Sequence, residues 1–318
     1  MIKAIRYDAG MAIKWDEFVG KARNSTLLHL RNYMDYHSDR FEDASLVFND
    51  EHGRVVALMP ACFSRKDRQT IVSHEGLTYG GLIVEPLTHT FQIEQMMDAA
   101  LDYYKNTLHA TRLILKHIPY IYSSQASDEE LYFIHCRGGR LIERGLSQAI
   151  DLAHPLPLNQ LRQRCLAKAR GRNLVTRIAT MRQEWDDYHP LLTACVLRHG
   201  FAPVHSADEL WLLHSRFPKQ IVLYTTMLDG QLLAGAVVYI SPSVAHVQYL
   251  AVSDVGKQCG ALDQAIISAV SDDRIKQCRY FDFGISTERD GSMNYGLTLQ
   301  KEGFGGRGVC YDIYELEL

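Results

Sequence analysis

Long hydrophobic runs are missing from this chain. The longest, Leu232 to Ile240, spans nine residues, enough for a buried strand and far short of the roughly 20 that cross a bilayer. The opening residues, Met-Ile-Lys-Ala-Ile-Arg-Tyr-Asp, carry no apolar segment of the secretory type. Paired cysteines are missing too. Cys62, Cys136, Cys165, Cys195, Cys259, Cys278 and Cys310 are an odd number at wide spacing with no C-x-x-C pair, which argues against a disulfide framework or a zinc site. A reduced, cytoplasmic protein with no resident metal is the expectation. Strong net charge is also missing: the formal value is −3, so the molecule has no global attraction for nucleic acid, and any anion site must be local. No Walker A, H-E-x-x-H, G-x-S-x-G or strand-to-helix G-x-G-x-x-G occurs, so kinase, metalloprotease, serine-hydrolase and dehydrogenase readings have no motif support. What is present is a 47% hydrophobic, 22% charged composition, that of a globular protein, and 318 residues, enough for two domains.

The two halves share a pattern. Ser45-Leu-Val-Phe, a turn at Asp50 to Gly53 and Arg54-Val-Val-Ala-Leu-Met form one hairpin signal; Gln220-Ile-Val-Leu-Tyr, Asp229-Gly230 and Gln231-Leu-Leu-Ala-Gly-Ala-Val-Val form another. In each half a further strand, a helix and a strand follow. The helices are expected near Phe91 to Lys105 and Ala261 to Val270, and the strands after them at Thr111 to Lys116 and Arg279 to Gly284. Further helical patterns lie at 158–170, 186–199 and 206–216. The order predicts an α+β fold made by duplication, with domains at 1–150 and 151–318.

The segment from Tyr280 to Leu318 is the most informative. Tyr280-Phe-Asp-Phe-Gly-Ile-Ser-Thr reads as a buried strand ending in a polar loop. Asn294-Tyr-Gly-Leu opens a short helix, Lys301-Glu-Gly-Phe-Gly-Gly is a glycine-rich turn, and Val309 to Leu316 alternates like a closing strand. Strand end, polar loop and a backbone able to approach a ligand at Gly305 and Gly306 are the parts of a binding site. Asp282 could accept a proton from an incoming amine or orient it, or be satisfied by loop N–H groups. Ser286, Thr287 and Glu288 share its loop. Lys301 is either a surface lysine or an ammonium placed to stabilise an oxyanion.

This segment resembles the Fem-type transferases, peptidoglycan aminoacyltransferases built from two acyltransferase folds of the GNAT type. The resemblance is strongest over 278–318 and keeps its order along nearly the whole chain. It implies two tandem GNAT-like domains, each a mostly antiparallel central sheet flanked by helices, with most of the site in the second. It also favours the oxyanion role for Lys301, because the family pattern has a lysine just before Gly-Phe.

Leu152 to Gln183 contains no acidic residue but seven cations. On a helix, Arg164, Lys168 and Arg172 share a face, and with Arg170 they make a candidate anion site. The Arg170-Gly-Arg172-Asn173 stretch is similar to a basic segment of the Fem-type proteins, which adds Asn173 to the set. Suitable anions are a nucleotide-linked sugar, a tRNA acceptor stem or the pyrophosphate of coenzyme A. A solvated helix face is the plain alternative. His74 to Gly81 resembles the substrate-side loop of the same proteins; Tyr79 in it could stack on a ligand or fill the core. After the strand His246 to Val252, the sequence Ser-Asp-Val-Gly256-Lys-Gln-Cys-Gly260 has glycines, but not at the spacing that holds the coenzyme A pyrophosphate.

The expected activity is acyl or aminoacyl transfer to a cell-envelope precursor such as a peptidoglycan or surface-polysaccharide intermediate. The donor, aminoacyl-tRNA or acyl-coenzyme A, acts as co-substrate, with no permanently bound cofactor. The alternatives are a coenzyme A-dependent N-acetyltransferase of a small molecule or sugar, and a non-catalytic binding protein on the same fold.

Overall fold

The computed structural model describes residues 2–198, 200, 202–288 and 290–318. The expected helix end at His199 and Arg289 of the polar loop lie outside the described residues. The chain divides into two compact units, Met1–Gly145 with Cys310–Leu318, and Leu146–Val309.

The strands, in chain order, are β1 (Lys3–Arg6), β2 (Leu46–Asn49), β3 (Val55–Met59), β4 (Cys62–Phe63), β5 (Thr70–Val72), β6 (Ile83–Val84), β7 (Arg112–Lys116), β8 (Arg140–Asp151), β9 (Val175–Ile178), β10 (Ile221–Leu228), β11 (Gln231–Ile240), β12 (Val244–Val252), β13 (Tyr280–Ile285) and β14 (Arg307–Glu317). The helices are α1 (Ala12–Val19), α2 (Arg31–Met34), α3 (Thr90–Asp102), α4 (Glu129–Cys136), α5 (Gln160–Gly171), α6 (Arg182–Leu197), α7 (Ala207–Arg216), α8 (Asp254–Cys259), α9 (Ala261–Val270) and α10 (Tyr295–Gly303).

In the first unit β1, β2, β3 and β6 are hydrogen-bonded in that order, and so are β4, β5, β7 and β14. In the second the order is β8-β13-β12-β11-β10-β9. The repeat is plain in the pairing. An antiparallel meander, β1-β2-β3 or β9-β10-β11-β12, is followed by a helix, α3 or α8–α9. That helix leads to a strand parallel to its neighbour: β7 beside β5, β13 beside β12. Each of these parallel strands is flanked on its far side by an antiparallel one, β14 or β8. This is the expected α+β arrangement of two GNAT-like halves.

Local chemistry explains the second unit. Asp229 and Gly230 both have positive φ, 47° and 80°, the two-residue turn whose twist suits a hairpin, and it sets Leu228 opposite Gln231. Helix α9 puts Ala261, Ala265, Ile266 and Ala269 on its buried face, and small residues let it lie close against β10 and β11. Ile266 joins Val222, Val238, Val247, Phe281 and Phe304 in one apolar cluster; each fully buried side chain of this kind contributes about 1.5–3 kcal/mol. The first unit has its own cluster, in which Ile93, Met96, Met97 and Ala100 of α3 pack on Phe48, Ala57 and Leu113.

Candidate active site

Strands β12 and β13 are in parallel register at Val244 with Tyr280, Ala245 with Phe281 and His246 with Asp282. Past that third pair the ladder ends while both strands continue, to Val252 and Ile285. Two bulges account for the parting. Val237 and Val238 of β11 face Tyr249 and Val247, leaving Gln248 of β12 extra. Asp282 and Ile285 of β13 face Ala149 and Ser147 of β8, again with one residue too many. Bulges bend and twist a strand, and Gly284, inside the second one, has φ +75°. His246 and Asp282 therefore sit at the vertex of a fork.

The vertex is a polar network inside an apolar unit. Asp282 is fully buried. It lies 2.7 Å from His246 Nδ1 and accepts a hydrogen bond from the Ser147 hydroxyl. Lys301, on α10, is also buried. Its ammonium donates to Gly284 O at 2.6 Å, Ile285 O at 3.0 Å and Ser286 Oγ at 2.8 Å. The Ser286 hydroxyl donates in turn to Gln148 Oε1. Burial pushes the Lys301 amine down to about 8, with the charge of Asp282 pulling the other way.

The structure thus brings together Asp282, Ser286 and Lys301, and adds three residues that sequence reasoning missed: His246, Ser147 and Gln148. A histidine in a mostly apolar strand gives no signal of its own. The clue was positional, since His246 stands at the same depth of β12 as Asp282 does of β13, and only the register reveals it.

Other expected site residues have structural employment. Lys301 is no surface lysine: its ammonium donates to Gly284 O, Ile285 O and Ser286 Oγ of the chain itself. Gly305 and Gly306 are buried; a Cβ would lie 2.9 Å from Leu156 O at the first, and 3.0 Å from Gln148 Cβ and Lys301 O at the second. Their close approach is to the protein. Thr287 pairs with Met293 across the loop. Asn173, at φ 54°, is the left-handed residue that ends α5, its N–H bonded to Arg170 O at 3.1 Å. Tyr79 belongs to the first unit and is buried there, its ring 4.5 Å from that of Tyr122 and 5.8 Å from that of His29; it is core.

Arg164, Lys168, Arg170 and Arg172 are all exposed on or just past α5, and none has a carboxylate partner among the described residues. Their neighbours do: Arg162 with buried Asp263 at 2.9 Å, Arg177 with Glu184, Arg182 with Asp186 and Asp208. Beside α5 lies a groove of about 920 Å³, lined by Arg162 and Cys165, by Leu250 and Val252 of β12, and by Leu297 and Gln300 of α10. His246 to Leu250 is about 13 Å along the strand at roughly 3.3 Å per residue. The groove wall and the fork are thus two parts of one strand. The start of α8, directly after β12, does not offer an open phosphate cradle. The Gly256 N–H is donated to Ser253 Oγ, and Asp254 puts a carboxylate there, paired with Lys257 at 3.1 Å and Arg198 at 3.0 Å. Among the described residues no cluster of three metal-ligating side chains occurs, and no helix is long and apolar enough to cross a membrane.

The comparisons bear on the fold. A family model described as an acetyltransferase (GNAT) domain matches residues 159–295. No curated protein sequence matches the chain. Among solved structures, FemX is similar over 99% of this chain and 97% of its own, with 12% identity and a TM-score of 0.72. L-PGS from Bacillus licheniformis is similar over 96% and 91%, with 12% identity and a TM-score of 0.61. A tandem GNAT protein from the clavulanic acid biosynthesis pathway is similar over 100% and 98%, with 15% identity and a TM-score of 0.55. The chain has the Fem-like tandem GNAT fold, as the resemblance of residues 278–318 implied, and the comparisons support an acyltransferase.

Proposed function

We propose that the chain transfers an acyl or aminoacyl group from an activated ester or thioester to an amine on a cell-envelope precursor, with the chemistry in its second half. The observation that carries this reading is the fork at His246 and Asp282, with a long groove along the same strand. A donor lying in the groove can bring its acyl carbon to the vertex, and holding two reactants there removes much of the entropic barrier. Similarity to FemX and L-PGS supports a cell-envelope acceptor. Asp282 acts through the histidine it orients. Lys301 acts by holding the Gly284–Ser286 backbone and by placing positive charge beside it.

For the donor, we propose an aminoacyl-tRNA, met in the cytoplasm. The four unpaired cations of α5 suit a polyanion, and their attraction is local in a protein of net charge −3. Acyl-coenzyme A is the second reading, supported by the GNAT domain match and opposed by Asp254 at the start of α8, where the pyrophosphate would need free N–H groups. Thermal unfolding with acetyl-coenzyme A, aminoacylated tRNA or a nucleotide-linked sugar separates these, because a ligand at 100 times its Kd adds about 2.7 kcal/mol. Stabilisation by the charged tRNA, weakened by salt and by Arg164→Glu with Lys168→Glu, is the expected result. Stabilisation by acetyl-coenzyme A alone, unchanged in the double variant, refutes the tRNA assignment and leaves α5 a solvated face.

A further inference from the structure

Among the described residues, the side chains of the polar network at the fork differ in their access to solvent. Asp282, Ser147, Gln148, Ser286 and Lys301 are all buried at 4% exposure or less, whereas the side chain of His246 keeps 16%. Of these six side chains the imidazole keeps the most contact with solvent. Asp282 meets that ring at Nδ1, 2.7 Å away, and a buried carboxylate at Nδ1 holds the proton there and leaves Nε2 as the basic nitrogen. The backbone on that edge is Gly284: a Cβ at this position would stand 3.4 Å from Cε1 and 4.0 Å from Nε2. Gly284 itself places no side chain over that edge.

We propose that His246 is the catalytic proton acceptor of the transfer and that Asp282 is its positioning residue. This rests on the acyltransferase reading above. In the step, the acceptor amine attacks the acyl carbon of the donor. A C–N bond forms as Nε2 takes a proton from the attacking nitrogen. The C–O or C–S bond to the donor then breaks, and the imidazolium returns that proton to the departing alkoxide or thiolate. Atoms and charge balance with no other reactant. Lys301 and Ser286 hold the Gly284–Ile285 backbone against the ring edge, and Ser147 fixes the second face of the Asp282 carboxylate.

Two measurements test this. Heteronuclear NMR of histidine-labelled protein, with His246 assigned by loss of its signal in His246→Gln, reads the tautomer directly at a pH where the ring is neutral. The Nδ1–H form is expected in the wild type, and a mixed or reversed tautomer in Asp282→Asn. An Nε2–H ring in the wild type overturns the proposal without reference to any substrate. The second measurement uses p-nitrophenyl acetate as a generic activated ester and glycinamide as the amine. His246→Gln should lower kcat by about 100-fold or more with KM little changed, the range general bases supply. Asp282→Asn should lower it by a smaller factor in step with the tautomer change. A His246→Gln protein that keeps its kcat within about twofold, against the general-base range, overturns the assignment. A wild-type protein that transfers nothing from the ester overturns the acyltransferase reading instead, and the tautomer alone then decides the orientation of the dyad.

Discussion

Replacing Lys301 with methionine separates two roles for this residue and has a magnitude that follows from its surroundings. The amine is buried, and burial brings it from 10.5 to about 8. Below pH 8 it is charged in both folded and unfolded protein, and the fold carries the cost of a buried ammonium. Between pH 8 and 10.5 the unfolded chain still holds the proton that the folded one has released, so stability rises with pH. A fall from 10.5 to about 8, at about 1.4 kcal/mol per pH unit, is worth about 3 kcal/mol. Against this stand the hydrogen bonds to Gly284 O, Ile285 O and Ser286 Oγ; a buried acceptor left without a donor costs about 1–3 kcal/mol. At pH 7 the methionine variant loses these bonds but also loses the buried charge, and the two effects largely offset. Near pH 10 the wild type keeps most of its bonds without the charge, and the variant should fall behind by about 3 kcal/mol more than at pH 7. Urea unfolding of both proteins at the two pH values measures this difference. Lys116, also pushed to about 8 by burial, titrates in both and cancels. A gap between the proteins that stays constant with pH refutes the reasoning. Turnover adds a second reading: loss of the loop clamp should disturb KM and kcat together, whereas loss of an oxyanion donor would lower kcat alone.

His117 should behave in the opposite sense. Burial works against its charged ring, but the hydrogen bonds and charges of Asp128 and Glu130 outweigh it and raise the ring to about 9. Its stabilisation is complete below about pH 6.5 and lost as pH rises through 9, about 3 kcal/mol in all; denaturation curves for His117→Gln should lack this fall, and parallel pH profiles refute it. Gly260→Ala should unfold the second unit several degrees earlier, because its Cβ would lie 2.2 Å from Cys165 O on a backbone with φ +76°, and strain of that kind costs about 1–3 kcal/mol; an unchanged melting temperature counts against the close packing of α5 on this turn.

Much of the architecture is a local property of the chain. The Asp229-Gly230 turn, the apolar face from Ala261 to Val270 and the strand from Tyr280 each follow from periodicity and turn chemistry within a dozen residues, so all three were legible, and with them the duplicated order. The same holds for α5: its run of cations without acids is visible in the string, and so is the absence of partners within it. The site is different in kind. His246 and Asp282 lie 36 residues apart and meet because two strands joined by a helical crossover happen to be in parallel register at that depth, which no local pattern encodes. Lys301 looks the same in sequence whether it points to water or inward; burial by β13 and its loop decides that its donors go to Gly284, Ile285 and Ser286. Gly305 and Gly306 suggested room for a ligand, and the tertiary structure fills that room with Leu156 and Gln148. Periodicity and turn chemistry are short-range and were set by the sequence alone; register, burial and the meeting of charges are long-range, and only the folded chain decides them.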